Sequence, residues 1–207
     1  VLDADLSRST MTHFFASEFP NRFFDCGVAE QNMVGIAAGL AASGKIPFAS
    51  TFAVFAPGRC FDQMRMSIAQ PKLNVKLVTT HGGISVGEDG TSHQSIEDLS
   101  LICSLPGFTV IVPADAIETA QAVRVAAASY GPFYIRLCRP KIPLVYNEDY
   151  RFNLGKAVTL RKGRKATIIA IGIMVVAALE AAENLKREGI DCRVLNMPTL
   201  KPIDEAA

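Results

Sequence analysis

Short apolar runs alternate with amphipathic stretches along the first 140 residues of the chain. The apolar runs are rich in β-branched residues and nearly continuous, which is typical of strands that are covered on both faces. They predict strands over Val1–Asp5, Phe23–Cys26, Pro47–Thr51, Val75–Thr80, Thr109–Val112 and Phe133–Leu137. The stretches between them predict helices over Glu30–Ser43, Gly58–Ala69, Ile96–Ser104 and Ala116–Tyr130, the last capped by Asp115. This alternation predicts an α/β fold, a parallel sheet with helices on both faces.

The pattern is interrupted at Pro140–Asn153, where two prolines lie among mixed polar residues. We interpret residues 141–153 as a linker between a domain at residues 1–140 and a second one at residues 154–207. The second part predicts strands at Lys156–Arg161, Ala166–Ile171 and Cys192–Asn196, with a turn at Lys162-Gly163 and a helix at Val175–Glu188 that ends at Gly189. About fifty residues are too few to close a doubly wound sheet, so we expect only the beginning of a second, truncated α/β domain.

Composition and charge exclude several classes of partner. The chain has 21 Lys and Arg against 20 Asp and Glu, which leaves no basic surface for nucleic acid or an anionic membrane. Its longest apolar stretch, Ala166–Leu179, is shorter than the roughly 20 residues that span a bilayer. The five cysteines are scattered without a CxxC pair, which argues against a disulfide framework or a zinc site and favours a reducing, cytoplasmic location.

The densest set of reactive side chains lies in the segment Thr80–Gln94, directly after a predicted strand. It contains His81, Glu88, Asp89 and His93 together with four glycines. Ligands of parallel sheets bind beyond the carboxyl ends of the strands, and glycines let them approach the backbone closely. A solvated loop with incidental histidines explains the same composition. Zinc is a poor explanation, because the two histidines lack a nearby Cys or a third His.

Two further segments permit a structural and a functional interpretation. Glu30 opens an apolar helix, where an acidic residue complements the helix dipole. Alternatively, apolar surroundings disfavour the charged form of this carboxyl and suit it to share a proton. Phe52 and Phe55 flank the next strand-to-helix turn, and they either pack in the core or form a flat slot for an aromatic ring.

Read together, the three segments resemble the transketolase family in their order and spacing. The matching residues are Phe24–Gln31, Thr51–Phe55 and His81–Gln94, followed by Leu105-Pro106, Pro113–Asp115 and Arg139, so that the resemblance covers about residues 1–145. The part from about Lys156 is similar to the start of the family's C-terminal domain. The ordered combination is more specific than any single segment. It implies a thiamine-diphosphate-dependent transferase of the pentose phosphate pathway, which moves a two-carbon ketol unit between sugar phosphates.

The resemblance also implies how the cofactor is held and activated. Glu30 matches the glutamate that hydrogen-bonds the pyrimidine ring nitrogen and activates the aminopyrimidine. Phe55 matches the residue that stacks on this ring, Phe52 lies beside it, and Asp5 matches an acidic residue near the cofactor.

For the substrate, the resemblance implies two groups of contacts. Ser9 and Arg139 match positions that hold the phosphate of a sugar phosphate, where a planar cation is suited to bind it. His81, Asp89 and His93 match groups that bind and orient the hydroxyls and the carbonyl, and the two histidines join Glu30 as catalytic groups.

The sequence departs from the family pattern at the diphosphate site, and Gly58 stands where the family often has a third pocket aromatic. The Gly-Asp-Gly motif and the later Asn that hold the diphosphate and Mg²⁺ are absent, so we expect no metal ligands in this chain. The resemblance implies that the chain works only with a diphosphate-binding half, either a separate subunit or a preceding domain. We expect a homodimer or higher oligomer, and the small residues of the predicted helix Glu30–Ser43 suit close packing between subunits.

Three alternatives stay open at this point. Deoxyxylulose-phosphate synthases and the β-subunits of 2-oxo-acid dehydrogenases share the glutamate and the sheet. They usually lack a histidine at the position of His81, and they have a shorter segment before Asp62-Gln63. A non-catalytic homologue would keep the fold without activity, although the retention of Glu30, both histidines and Arg139 argues against it.

Overall fold

The computed structural model describes all 207 residues, which form two compact units. The first unit consists of Val1–Val110 and Ala126–Pro140. The second consists of Ile111–Val125 and Lys141–Ala207, so the two units are interleaved along the sequence.

The first unit is built on a sheet whose strands are close to those predicted from the apolar runs. They are β1 (Leu2–Asp3), β2 (Phe24–Asp25), β3 (Phe48–Phe52), β4 (Lys76–Thr80), β5 (Thr109–Ile111) and β6 (Phe133–Arg136). Their order is β5-β6-β4-β3-β1-β2, and the pairs β2–β1, β1–β3, β3–β4 and β4–β6 are parallel. The predicted α/β class with a mostly parallel central sheet is confirmed.

The helices differ from the predicted ones mainly at the short elements. They are α1 (Ser7–Thr10), α2 (His13–Glu18), α3 (Glu30–Ala42), α4 (Ala56–Gln63), α5 (Asp98–Ser104) and α6 (Ala116–Ala128). The first two were not predicted, because four and six residues are too few to show a helical period. Asp115 caps α6 as predicted, since its Oδ1 accepts a hydrogen bond of 2.8 Å from the Glu118 amide.

The prediction of one continuous helix at Gly58–Ala69 was wrong. The α-helix begins at Ala56, Cys60 departs from helical geometry with φ −117°, and Met64–Ala69 form a π-helix. Apolar periodicity does not distinguish an α-helical turn from the wider π-turn, which often occurs near functional sites.

The small residues of α3 are divided between two faces. Ala37, Ala38 and Ala41 are buried within the chain. Gly35 and Gly39 are exposed, and a Cβ added at either would meet only open space. The alanines therefore serve the core, while the packing of this helix against another subunit stays a prediction.

The second unit contains a smaller sheet of mixed direction. The sheet is formed by β7 (Val158–Arg161), β8 (Ala166–Ala170) and β9 (Cys192–Asn196), and the unit also contains α7 (Met174–Arg187) and the short strand β10 (Thr199–Lys201), which is not part of this sheet. β9 lies between β7 and β8, antiparallel to the first and parallel to the second, so the predicted turn at Lys162-Gly163 does not close a hairpin. Gly163 is required there, because a Cβ would overlap the backbone of Cys192.

A buried polar network in the second unit fixes part of the predicted linker. The Glu118 carboxylate accepts hydrogen bonds from the Ala114 amide, the Tyr150 hydroxyl and the Asn196 amide. Burial raises the pKa of Glu118, and these three hydrogen bonds oppose the rise. Asp115 accepts from the amides of residues 145 and 146. The linker is therefore held at several points along its length.

Two other findings bear on composition. The five cysteines form no disulfide. None of the helices combines the length and the apolar character that crossing a bilayer requires.

Candidate functional site

Four rings meet at the carboxyl edge of β3 and β4. Phe52 ends β3 and His81 directly follows β4, and the two neighbouring strands are tied there by the Ala53 amide, which donates to the Thr80 carbonyl at 2.8 Å. The Phe52 ring stacks on His81 at 3.8 Å and on Phe55 at 5.8 Å. His93 meets the two phenylalanines edge-on. The fold thus brings two of the sequence segments into one aromatic cluster.

A cleft of about 760 Å³ opens beside Phe52, and we call it the histidine cleft. Every residue that the resemblance assigned to the substrate lines it, namely Ser9, His81, Asp89, His93 and Arg139. Since these residues are up to 130 positions apart in the sequence, their convergence depends on the parallel sheet, which brings the carboxyl ends of its strands to one edge.

His81 is the most constrained residue of the histidine cleft. It is buried, it adopts a left-handed φ of 59°, and its Nδ1 lies 2.9 Å from Thr80 Oγ1. Non-glycine residues rarely adopt this conformation, which often marks functional sites. Burial lowers the pKa of His81, although the charge of Asp89 opposes the shift. The imidazole is therefore neutral near pH 7 and can accept as well as donate a hydrogen bond.

The residues after His81 are held by the end of β6. The Gly82 amide donates to the Leu137 carbonyl at 3.0 Å, and a Cβ on Gly82 would overlap the guanidinium of Arg136. Arg136 is itself paired with the buried Asp98 at 3.3 Å. This close approach explains why glycine stands beside the histidine.

Arg139 is bonded to the loop in front of it. Its Nη2 donates to Glu88 at 2.6 Å, its Nη1 lies 3.6 Å from Asp89, and it also donates to the Val86 carbonyl. An anionic ligand that approaches this guanidinium has to compete with Glu88, whose side chain is largely exposed.

A second cleft, of about 660 Å³, is lined by residues 28–32 together with Gly58 and Arg59, and we call it the glutamate cleft. Glu30 is the first residue of α3 and is buried. Its Oε1 accepts a hydrogen bond of 2.6 Å from Arg59 Nη1. The Arg59 Cζ lies 3.9 Å from the centroid of the Phe55 ring.

Arg59 was not singled out from the sequence. The signal that could have found it is its spacing, because residues four apart share one face of a helix and Phe55 directly precedes α4. The Arg59 amide donates to the Phe55 carbonyl at 3.1 Å, which closes this first turn. The Phe52–Phe55 pair thus connects the histidine cleft with the arginine of the glutamate cleft.

Asp5 lies two residues beyond β1 and lines neither cleft. Its amide donates to Asp25 Oδ1 at 3.1 Å. The neighbouring Asp3 is fully buried and accepts hydrogen bonds from Leu6, Thr10 and Thr12, at 2.7, 2.7 and 2.8 Å. Asp3, which the sequence did not point to, therefore shapes the turn that presents Ser9 and Thr10 to the histidine cleft.

The side chains of the glutamate cleft and of the aromatic cluster suit the pyrimidine ring of the cofactor that the resemblance implies. An aromatic face next to a buried carboxylate fits a flat ring with a nitrogen that can share a proton. No group of three or more His, Cys, Asp or Glu side chains is placed to hold a metal ion.

Two family models cover almost the whole chain. The model "Transketolase, pyrimidine binding domain" matches residues 1–144. The model "Transketolase, C-terminal domain" matches residues 155–207.

Individual proteins agree with these models. The chain is 51% identical over 207 residues to a "Putative transketolase C-terminal section" of Methanocaldococcus jannaschii, covering 99% of this chain and 66% of that protein. It is 47% identical to the "6-deoxy-6-sulfo-D-fructose transketolase subunit SqwH" of a Clostridium species, covering 100% and 64%. A solved structure described as "Split gene transketolase, inactive beta4 tetramer" superposes with a TM-score of 0.90 at 56% identity, covering 98% and 66%.

The chain spans 64 to 66% of the length of these relatives. The match to the pyrimidine-binding model alone extends over more than half of the chain. The chain therefore belongs to the transketolase family.

Proposed function

We propose that this chain is the pyrimidine-binding half of a thiamine-diphosphate-dependent transketolase, which transfers a two-carbon ketol unit between sugar phosphates. The observation that carries the proposal is the pair Phe52–Phe55. On one side Arg59 joins the Phe55 ring to the buried carboxylate of Glu30, and on the other side Phe52 lines a cleft of polar groups suited to a polyol. A transferase of this kind needs the two features next to each other, because the activated cofactor has to reach the sugar carbonyl.

Thiamine diphosphate would supply a carbon nucleophile for the carbonyl of the donor sugar. Glu30 holds the pyrimidine ring nitrogen and shares a proton with it, while Phe55 stacks on the ring and Phe52 borders it. Burial of Glu30 supports this role, because a proton shared in a site with little water stays between the two partners. Asp5, two residues beyond β1, is proposed as an acidic neighbour of the cofactor outside the two clefts.

In the histidine cleft, His81, Asp89 and His93 bind the hydroxyls and the carbonyl of the sugar. The lowered pKa of His81 supports this assignment, since a neutral imidazole can accept a hydrogen bond from a hydroxyl. Ser9 and Arg139 hold the phosphate. Because a sulfonate offers a similar anionic group to a guanidinium, and a relative is described as a sulfo-fructose transketolase subunit, sulfonated ketoses belong among the donors to be tested.

The second half of the enzyme supplies the diphosphate and Mg²⁺ ligands, either as a separate subunit or as another domain, in a homodimer or higher oligomer in the cytoplasm. Two observations support this part of the proposal. A relative with 56% identity is described as an inactive β4 tetramer. The family models match on either side of residues 145–154, which supports a pyrimidine-binding domain at 1–140, a linker at 141–153 and a C-terminal domain from 154.

A coupled assay with ribose 5-phosphate and xylulose 5-phosphate tests the function. Three samples are assayed: the chain alone, the chain with the diphosphate-binding half, and the Glu30→Gln variant of the chain with the same half. Activity in the second sample only is the expected result. Turnover of pyruvate with glyceraldehyde 3-phosphate would instead identify a deoxyxylulose-phosphate synthase, and oxidative decarboxylation of a 2-oxo acid would identify the dehydrogenase class. A folded complex without any of these activities would identify a non-catalytic homologue.

A further inference from the structure

We propose that Arg59 occupies the pyrimidine subsite of this chain as a built-in competitor, and that the cofactor ring displaces it when the complete active site forms. The inference rests on the proposed function, because it assigns the ring to Glu30 and Phe55. It concerns a residue to which that function gives no role.

The Arg59 guanidinium resembles an aminopyrimidine ring in its shape and in the contacts it makes. A guanidinium is flat, donates hydrogen bonds to carboxylates and stacks on aromatic faces. Arg59 makes both contacts at once, at 2.6 Å to Glu30 Oε1 and at 3.9 Å from its Cζ to the Phe55 centroid. An aminopyrimidine that bonds to Glu30 and stacks on Phe55 uses the same pair of contacts. At 3.9 Å there is no room for a second ring between the guanidinium and Phe55.

Glu30 and Arg59 differ strongly in solvent exposure. The Glu30 side chain is 5% exposed, whereas the Arg59 side chain is 46% exposed. A carboxylate buried to this extent is costly to leave without a partner, so the chain needs a cation or a proton donor there at all times. The arginine can turn into solvent and be hydrated. Glu30 is therefore the fixed member of the pair, and Arg59 is the member that a ligand can replace.

The backbone of Arg59 is held by hydrogen bonds that do not involve its guanidinium. Gln31 Nε2 donates to the Arg59 carbonyl at 2.8 Å, and the Arg59 amide donates to the Phe55 carbonyl at 3.1 Å. Displacement therefore requires only a change of side-chain rotamer, and the walls of the glutamate cleft remain in position.

A permanent positioning role for Arg59 predicts the opposite result in a binding experiment. If Arg59 stays on Glu30 in the working enzyme, its removal disturbs the carboxylate and weakens the binding of the ring. If Arg59 is a competitor, its removal empties the subsite and strengthens binding by the chain without its partner half. The sign of the change separates the two roles.

The experiment measures binding of 4-amino-5-hydroxymethyl-2-methylpyrimidine to the full-length chain by ligand-observed NMR. The variants are Arg59→Met, which keeps the length but removes the charge and the plane, and Arg59→Lys, which keeps the charge. Arg65→Met is the matched control, because Arg65 is an exposed arginine paired only with Asp62. We expect Arg59→Met to bind about three- to tenfold more tightly than the wild-type chain. The affinity of Arg59→Lys for the pyrimidine should lie between those of Arg59→Met and the wild-type chain, and the affinity of Arg65→Met should equal that of the wild-type chain.

Equal or weaker binding by a folded Arg59→Met chain would overturn the inference, and circular dichroism verifies that the variant is folded. A second measurement uses the complex with the diphosphate-binding half, in which Arg59→Met should bind thiamine diphosphate at least as tightly as the wild-type complex, because the ring no longer has to displace a guanidinium. A loss of tenfold or more there would establish the permanent role instead. If the wild-type complex binds no thiamine diphosphate at all, the proposed function fails. If it does, and Arg59→Met has no effect on the isolated chain, only the inference fails.

Discussion

Two arginine–carboxylate pairs lie near the Phe52–Phe55 pair, and they have the same length but opposite exposure. Arg59–Glu30 and Arg139–Glu88 both measure 2.6 Å. In the glutamate cleft the carboxylate is buried and the arginine half exposed, whereas in the histidine cleft Glu88 is 83% exposed and the arginine 32%. In each pair the less exposed side chain is the one to which the proposed function gives a ligand: Glu30 binds the cofactor ring, and Arg139 binds the sugar phosphate.

The N–O distance of a pair does not by itself rank its contribution to stability or binding. An exposed pair contributes little, because water and salt screen it and both side chains keep their freedom. A pair with one buried member is held by the cost of leaving that member uncompensated. We therefore expect changes at Glu30 to have the largest effects and changes at Glu88 the smallest.

The largest effect is expected for Glu30→Gln in the enzyme assembled with its diphosphate-binding half. Because an amide cannot share a proton as a carboxyl does, turnover should fall by about 10²- to 10⁴-fold at saturating cofactor. Affinity for the cofactor, measured by calorimetry, should change far less. Asp62→Asn, an exposed carboxylate paired with Arg65, is the control. Near-normal turnover of Glu30→Gln would show that Glu30 does not take part in proton transfer during the reaction.

The next effect is expected for Arg139→Met. Loss of a charge-assisted contact remote from the reacting carbon should raise KM for phosphorylated donors by about 10- to 100-fold and leave kcat nearly unchanged. The comparison is made with a non-phosphorylated donor such as hydroxypyruvate. An equal loss with both donors would contradict the assignment of Arg139 to the phosphate.

A smaller effect concerns the pH dependence of stability. Burial places the pKa of His81 below its usual 6.5, so the folded chain takes up this proton at lower pH than the unfolded chain. The contribution of the neutral His81 is therefore complete above pH 6.5 and is lost as the pH falls below it. Urea unfolding between pH 7.5 and 5 should show a larger loss of stability for the wild-type chain than for His81→Gln. Parallel curves for the two proteins would contradict the shift.

The smallest effect is expected for Glu88→Gln. The free energy of unfolding should change by less than about 1 kcal/mol, since the pair with Arg139 is exposed. The KM for sugar phosphates should fall slightly, because the phosphate no longer competes with a carboxylate for Arg139. A tenfold rise in KM would instead indicate that Glu88 contacts the substrate.

The sequence predicted the parts of the fold that depend on buried apolar runs. The inner strands β3, β4 and β6 were located because their residues are mostly buried, which leaves a strong local signal, whereas β2 is an exposed edge strand. The position of the segment Thr80–Gln94 directly after a strand was also predicted, and β4 ends at Thr80; the stacking of His81 on Phe52 was not predicted. The short helices α1 and α2 and the π-turn at Met64–Ala69 left no such signal.

The pairs that distinguish the two clefts could not be predicted. Glu30 and Arg59 are 29 positions apart, and Glu88 and Arg139 are 51 apart. Their meeting depends on how α3 packs near α4 and how the loop after β4 approaches the end of β6. Charge patterns along a sequence reveal neighbours within a helix, but not partners on different elements. The roles of Glu30, Ser9 and the two histidines themselves stay predictions.

The most direct test of the account is calorimetry of thiamine diphosphate and Mg²⁺ with the purified chain, alone and together with the diphosphate-binding half. A diphosphate is strongly hydrated, and binding it without a metal or a basic cradle leaves its charge uncompensated. We expect weak or undetectable binding by the chain alone and saturable, Mg²⁺-dependent binding by the assembled halves. Tight, Mg²⁺-dependent binding by the chain alone would show that it carries the diphosphate site itself, and would contradict the division of the active site between two halves.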